Sequence, residues 1–222
     1  MSIAAFILGE SGSGKSASLR NLDPAQTLLI QAVRKPLPFK APGWAAYDKF
    51  RKTGNIIVTD DAPVIEKAMR TFTQPIVVID DWQYILANEF MRRSHEKGFE
   101  KFTDIGRNAW EIITAACGLS EHRRVYIMAH TTTDDNGIVK VKTIGKLLDE
   151  KITVEGMVSI VLRTMVQDGQ YKFRTHNSGS DTVKTPMGMF AEDFIDNDLA
   201  TVDAAICNYY EISTPAPLAA AA

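Results

Sequence analysis

Eight residues near the N-terminus constrain this chain more than any other segment. Gly9-Glu10-Ser11-Gly12-Ser13-Gly14-Lys15-Ser16 satisfies the pattern G-x-x-x-x-G-K-[ST] at each fixed position. It follows the apolar run Ile3-Ala4-Ala5-Phe6-Ile7-Leu8, which reads as a buried strand, and precedes residues 15–21, which read as a helix. Strand, glycine loop and helix in that order is the context in which such a loop holds the phosphates of a nucleotide. Glycines at 9, 12 and 14 let the backbone turn successive N–H groups toward an anionic β-phosphate, and the helix adds its positive end. Lys15 supplies a mobile cation for the β and γ oxygens, and Ser16 a hydroxyl for a Mg²⁺ that bridges them. The expected cradle runs from Gly9, Glu10 and Ser11 through Gly12, Ser13, Gly14 and Lys15 to Ser16 and Ala17, with ATP as its ligand. A flexible Gly/Ser linker is a poor reading, because linkers do not follow a buried strand and end in Lys-Ser.

With 222 residues, 45% of them hydrophobic, the chain can bury one sizeable core, and a single α/β domain over residues 1–212 is expected. A net charge of −2 excludes a general polyanion binder and confines any nucleic-acid contact to a local basic patch. Cys117 and Cys207 lack metal-ligand spacing and fall in apolar helical patterns, as reduced core cysteines do. The first residues enter a strand at once, leaving no room for a signal peptide, and no apolar run approaches membrane-spanning length. A soluble cytoplasmic protein with no membrane contact is therefore expected. The low-complexity residues 213–222 read as a disordered tail.

Further strands are expected at Thr27–Gln31, Asn55–Thr59 and Arg124–His130. Helices are expected from Asp61, with Val64, Ile65, Ala68, Met69 and Phe72 as its apolar stripe, from Trp82 to about Lys97, from Asp104 to Leu119 and from Asn197-Asp198 to Tyr210. Pro75-Ile76-Val77-Val78-Ile79-Asp80-Asp81 is a β-branched run ending in two carboxylates. It reads as a strand buried on both faces whose C-terminal end meets the ligand, which is the Walker B pattern. Asp80 is assigned to Mg²⁺. Asp81 either orients an attacking water or caps the helix that follows. His130 ends a further core strand, either as a sensor of the γ-phosphate or as a polar residue at a strand end. Hairpins are expected around Asp135-Asn136-Gly137 and Asp168-Gly169; they add antiparallel strands to a mainly parallel sheet flanked by helices.

The N-terminal glycine loop, Ile79-Asp80-Asp81-Trp82, the strand ending in His130, and the segments Thr143-Ile144-Gly145-Lys146-Leu147-Leu148-Asp149 and Lys184-Thr185-Pro186 form one ordered set. In that order and spacing the chain resembles the small phage-encoded RecA-like P-loop ATPases, and among them the Sak-type single-strand annealing proteins. The likeness spans roughly residues 1–212, and its two nucleotide motifs are the specific part. It implies a RecA-like core, ATP and Mg²⁺, single-stranded DNA, a role in phage recombination with a single-strand binding protein, and ATP at the boundary between subunits of a homo-oligomer. Lys15, Ser16 and Asp80 match the phosphate, metal and carboxylate positions, and residues 131–142 match a mobile DNA-binding loop. The chain departs where such enzymes carry a glutamate after their second strand: it has Gln31-Ala32-Val33-Arg34. A base must then come from Asp60, Asp61 or Asp81, or ATP acts as a conformational ligand.

Lys140 and Lys142 share a face of the alternating segment 138–142, where they either follow a DNA backbone or keep a sheet edge solvated. Lys146 either reaches a neighbouring subunit's γ-phosphate, as a cation acting in trans, or lies on the surface. Two other functions fit the phosphate loop: a nucleotide kinase drawing on Arg92, Arg93, Arg123 and Arg124, and a non-hydrolysing ATP-gated scaffold.

Overall fold

Six consecutive apolar residues make β1 (Ile3–Leu8), and their alternation decides the architecture. Phe6 and Leu8 enter one hydrophobic core while Ala5 and Ile7 enter another, so the strand must be covered on both faces. The computed structural model describes residues 1–144, 148 and 151–213. The remaining strands are β2 (Thr27–Gln31), β3 (Ile56–Val58), β4 (Ile76–Asp80), β5 (Arg124–Ala129), β6 (Thr131–Thr133), β7 (Val139–Val141), β8 (Ile160–Gln167), β9 (Gln170–Arg174) and β10 (Phe194–Asp196). Eight of them form one sheet in the order β10-β9-β8-β1-β5-β4-β2-β3. From β8 to β3 neighbours run parallel, and β8, β9 and β10 pair antiparallel. This is the mainly parallel α/β sheet flanked by helices that the sequence leads one to expect, with antiparallel strands contributed by the C-terminal part of the chain.

The helices α1 (Ala62–Thr71), α2 (Trp82–Arg92) and α3 (Glu100–Cys117) cover one face, bringing Ile65, Trp82, Ile105 and Ile112 against Phe6 and Leu8. The other face receives α4 (Leu199–Tyr209), with Leu199, Val202 and Ile206 packed on Leu19 and Ile7. Aspartates start three of these helices as expected from their short acceptor side chains: Asp61 accepts from the N–H of Val64, Asp81 from Gln83 and Asp198 from Ala200.

Several expectations are corrected. Residues Ser16–Asn21 form a 3₁₀ helix, not an α-helix. The Ser18 hydroxyl donates to the Lys15 carbonyl, and Asp23-Pro24 stops the element, so no helix dipole of ordinary length faces the loop. α2 ends at Arg92 because the Arg93 guanidinium gathers Glu89, Glu96 and Asp104 into a tight turn, and α3 then begins at Glu100. Val64 is exposed rather than part of the apolar stripe. β8 is a full member of the parallel core rather than only one arm of a hairpin, and β10 had no sequence signal. β6 and β7 pair with each other in a separate two-stranded sheet instead of extending the main one. Among the described residues no helix is long and apolar enough to cross a membrane, and both cysteines are free. Lys146 and residues 214–222 lie outside the described residues.

Beneath the sheet, the guanidinium of Arg124 on β5 donates to both Asp203 oxygens of α4, at 2.9 and 2.7 Å, and the Tyr126 hydroxyl donates to the same carboxylate. Arg124 is 1% exposed, so removing its partner strands a buried charge. Asp203→Ala is expected to destabilise the fold by about 3 kcal/mol or more, read from urea unfolding; a loss below 1 kcal/mol would show that the pair adds nothing net.

Candidate functional site

The site gathers at the C-terminal ends of β1, β4 and β5, where an open α/β sheet presents its loops. Gly9 follows β1 directly, and its N–H donates to the Ala129 carbonyl at 3.1 Å, clamping the foot of the loop to the neighbouring strand. A Cβ at Gly9 would lie 1.9 Å from Thr164 Oγ1 on β8, so space, not backbone freedom, demands glycine there. Gly12 and Gly14 do adopt positive φ, 79° and 101°. Glu10 and Ser11 form the exposed tip, and Ser13 bonds the Thr164 hydroxyl.

Lys15 folds back over its own loop. Its Nζ donates to the carbonyls of Gly9 at 2.6 Å and Glu10 at 3.0 Å, with His130 Nδ1 at 3.5 Å. Burial lowers the pKa of this amine, an effect opposed by the charges of Asp81 and Asp80. Asp80, at 0% exposure, receives the Ser16 hydroxyl at 3.2 Å from each oxygen and the Lys35 amine at 3.3 Å. Burial pushes the Asp80 carboxyl up, and the Lys35 charge pulls it back down. Asp81 takes the capping role that the sequence offered as one of its two readings, and it also lines the cleft. It caps α2 through Gln83, and it faces the cleft with Oδ2 at 3.0 Å from His130 Nε2. A neutral His130 that donates from Nε2 presents Nδ1 as an acceptor toward Lys15. Tyr84 packs edge-on against the same imidazole.

Lys15, Ser16, Lys35, Asp81, Tyr84 and His130 line a cleft of about 640 Å³ together with Ala17, Val33, Pro38 and Tyr171, within the ordinary range for small-molecule sites. A second hollow of about 630 Å³ adjoins it at Ala17 and Tyr171, walled by Arg20, Lys172, Asp196 and Asn197. Asn197 is 2% exposed, and neither its carboxamide nitrogen nor its oxygen has a hydrogen-bond partner. Ser16 and Asp80 present the hard oxygens that suit Mg²⁺. Among the described residues no group of three His, Cys, Asp or Glu side chains could hold a metal, so this pair fits a cation that shares its coordination with phosphates and water.

Lys15, Ser16, Asp80, Asp81 and His130 therefore converge as one site. Lys140 and Lys142 stand apart from it. Lys140 lies opposite Thr132 in the β6–β7 hairpin, and Lys142 is exposed just past β7, so the regular face expected to carry both ends at Val141. Sequence reasoning missed Tyr171 and Asn197, which no motif marks, and the part that Lys35 takes in the site. The proline-broken path that brings its amine to Asp80 leaves no periodic signal.

No family model matches this chain, and no curated protein matches it in sequence. Among solved structures it is similar to the genome-packaging NTPase B204 from Sulfolobus turreted icosahedral virus 2, solved in complex with ATP-gammaS. The two are 9% identical over 81% of this chain and 78% of that one, with a TM-score of 0.39. The reading of the site rests on its own geometry.

Gly9→Ala is expected to force Thr164 aside and destabilise the protein by roughly 1–3 kcal/mol. Adding Thr164→Ala, which removes the clashing hydroxyl, should restore part of that loss. Thermal unfolding of the two single variants and the double variant checks the coupling, and strict additivity would refute it.

Proposed function

We propose that this chain binds ATP with Mg²⁺, hydrolyses it, and couples the nucleotide to single-stranded DNA as a RecA-like protein of phage recombination or annealing. One observation carries the nucleotide part: Lys15 and Ser16 open on the same cleft, with the buried Asp80 bonded to the Ser16 hydroxyl, beside a loop whose glycines are required by close packing and positive φ. In this reading the Lys15 amine leaves its carbonyl partners for β and γ oxygens. Ser16 and Asp80 hold the cation, which supplies charge neutralisation at the phosphates when bound. The nucleoside extends past Ala17 toward Tyr171 and Asn197.

The base for water is assigned to Asp81. Asp81 lines the cleft, whereas Asp60, held by Asn88 and Arg92, and Asp61, the cap of α1, do not. Gln31, where a glutamate was expected, is buried and donates to the Lys35 carbonyl. Asp81, braced by His130, takes the proton of a water directed at the γ-phosphate.

The kinase reading is disfavoured by the same kind of count. Arg92 pairs with Asp60, Arg93 with three carboxylates, Arg123 with the carbonyls of Phe72 and Met69, and Arg124 with Asp203. Support for a coupled DNA contact comes from the hairpin. The Lys142 N–H donates to the His130 carbonyl at 2.8 Å, so a strand held by Lys140 and Lys142 would bear on the imidazole beside Asp81. The oligomer with ATP at its boundary, the trans role of Lys146 and a single-strand binding protein as partner belong to the same proposal.

Lys15→Ala is expected to weaken ATP binding at least 100-fold, roughly the loss of one charge-assisted contact to phosphate, with the fold intact by circular dichroism. Asp80→Asn should spare ATP affinity more than turnover. Calorimetry showing native affinity in the folded Lys15 variant would overturn the nucleotide reading. For the hairpin, Lys140→Ala with Lys142→Ala should weaken binding to any single-stranded sequence and shallow the slope of log K against log salt by about 1.4. An unchanged slope removes both lysines from the DNA contact.

A further inference from the structure

The Lys35 amine lies where nothing in the motifs placed a cation. Its segment leaves β2, is broken by Pro36 and Pro38 and forms no regular element, yet it delivers Nζ to 3.3 Å from Asp80 Oδ1. Lys35 also lines the cleft beside Lys15, His130 and Asp81. We propose that Lys35 is a resident counter-ion which occupies Asp80 until a divalent cation arrives with the nucleotide, and then transfers to the terminal phosphate. The proposal rests on the nucleotide reading above and adds a moving part to it.

Charge and burial carry the argument. Asp80 is fully buried, and a lone carboxylate there is costly without a positive partner. The Ser16 hydroxyl alone cannot neutralise it, and Lys35 does. The cleft then sets two ammonium groups, Lys15 and Lys35, beside the Asp81 carboxylate, with the buried Asp80 in contact with Lys35. A divalent cation on Asp80 would face the Lys35 ammonium at close range, and like charges at such distance repel strongly in a poorly hydrated site. The triphosphate brings new anionic oxygens into the cleft whose wall Lys35 already forms.

The anchoring of Lys35 suits a shift of this kind. Its side chain is 39% exposed, unlike Lys15, which lies buried under its loop. The Gln31 amide holds the Lys35 carbonyl at 3.1 Å, while Leu37 and Phe39 pack against the core beyond it. The backbone is thus pinned on both sides of a long, flexible stem. Four carbons let the amine swing between Asp80 and a phosphate without unpinning the segment.

The test uses Mn²⁺ alone, a paramagnetic hard cation, with ATP and ADP as separate probes on the full chain. Lys35→Met removes the competitor at Asp80, so Mn²⁺ affinity without nucleotide, read by electron paramagnetic resonance, should rise roughly tenfold. The preference for ATP over ADP in calorimetry should fall roughly tenfold with the lost phosphate contact. Unchanged Mn²⁺ affinity, or an unchanged ATP/ADP ratio, would overturn the proposal and leave a static ion pair. Should Lys35→Met fail to fold, the charge-balanced pair Lys35→Met with Asp80→Asn decides the phosphate half. An ATP preference below that of Asp80→Asn alone supports transfer, and a preference equal to it refutes transfer. A wild-type protein that binds neither ATP nor ADP would overturn the nucleotide reading and, with it, the transfer to phosphate, while the Mn²⁺ arm still decides the counter-ion.

Discussion

A carboxylate with no access to water sits at the end of β4, and the arrangement of the cleft follows from having to keep it there. Ile76, Val77, Val78 and Ile79 are buried because helices cover both faces of the sheet, and Asp80 inherits their dryness. A charge so placed demands partners. They come from two separate loops, the hydroxyl of Ser16 after β1 and the amine of Lys35 after β2, so one buried oxygen pair draws together segments that share no strand ladder.

The same fold keeps a second buried carboxylate, Asp203, and treats it differently. Arg124 grips it with two nitrogens of a rigid guanidinium and Tyr126 adds a hydroxyl, so its hydrogen bonds are met within the protein. Asp80 has one lysine and one serine, each a single donor on a smaller or more flexible side chain. The planar fork suits a fixed joint between sheet and helix. The single-point donors suit a place where partners are exchanged.

What could be read from the chain was what local spacing encodes. The phosphate loop, the β-branched run into Asp80-Asp81 and the strand ending before His130 each announce themselves within ten residues, and the structure brings them to one end of the sheet. The missed features depend on closure over long distances. Thr164 dictates glycine at position 9 from 155 residues away. β10 has only three residues and is specified by pairing with β9, not by its own composition. The helix expected after the loop is present but of the 3₁₀ kind, which periodicity does not register.

The position of β1 also sets an order in time. Its two neighbours are β5 and β8, so a ribosome must deliver residues 124–129 and then 160–163 before the first strand is paired on both edges. The helix after the loop waits longer still, since Arg20 donates to the Asn197 carbonyl and Asn21 to the Asp198 carboxylate. Contacts so distant in sequence close slowly. This early strand is thus among the last to be completed, and a chain released before residue 198 would carry the phosphate loop without the wall that supports it.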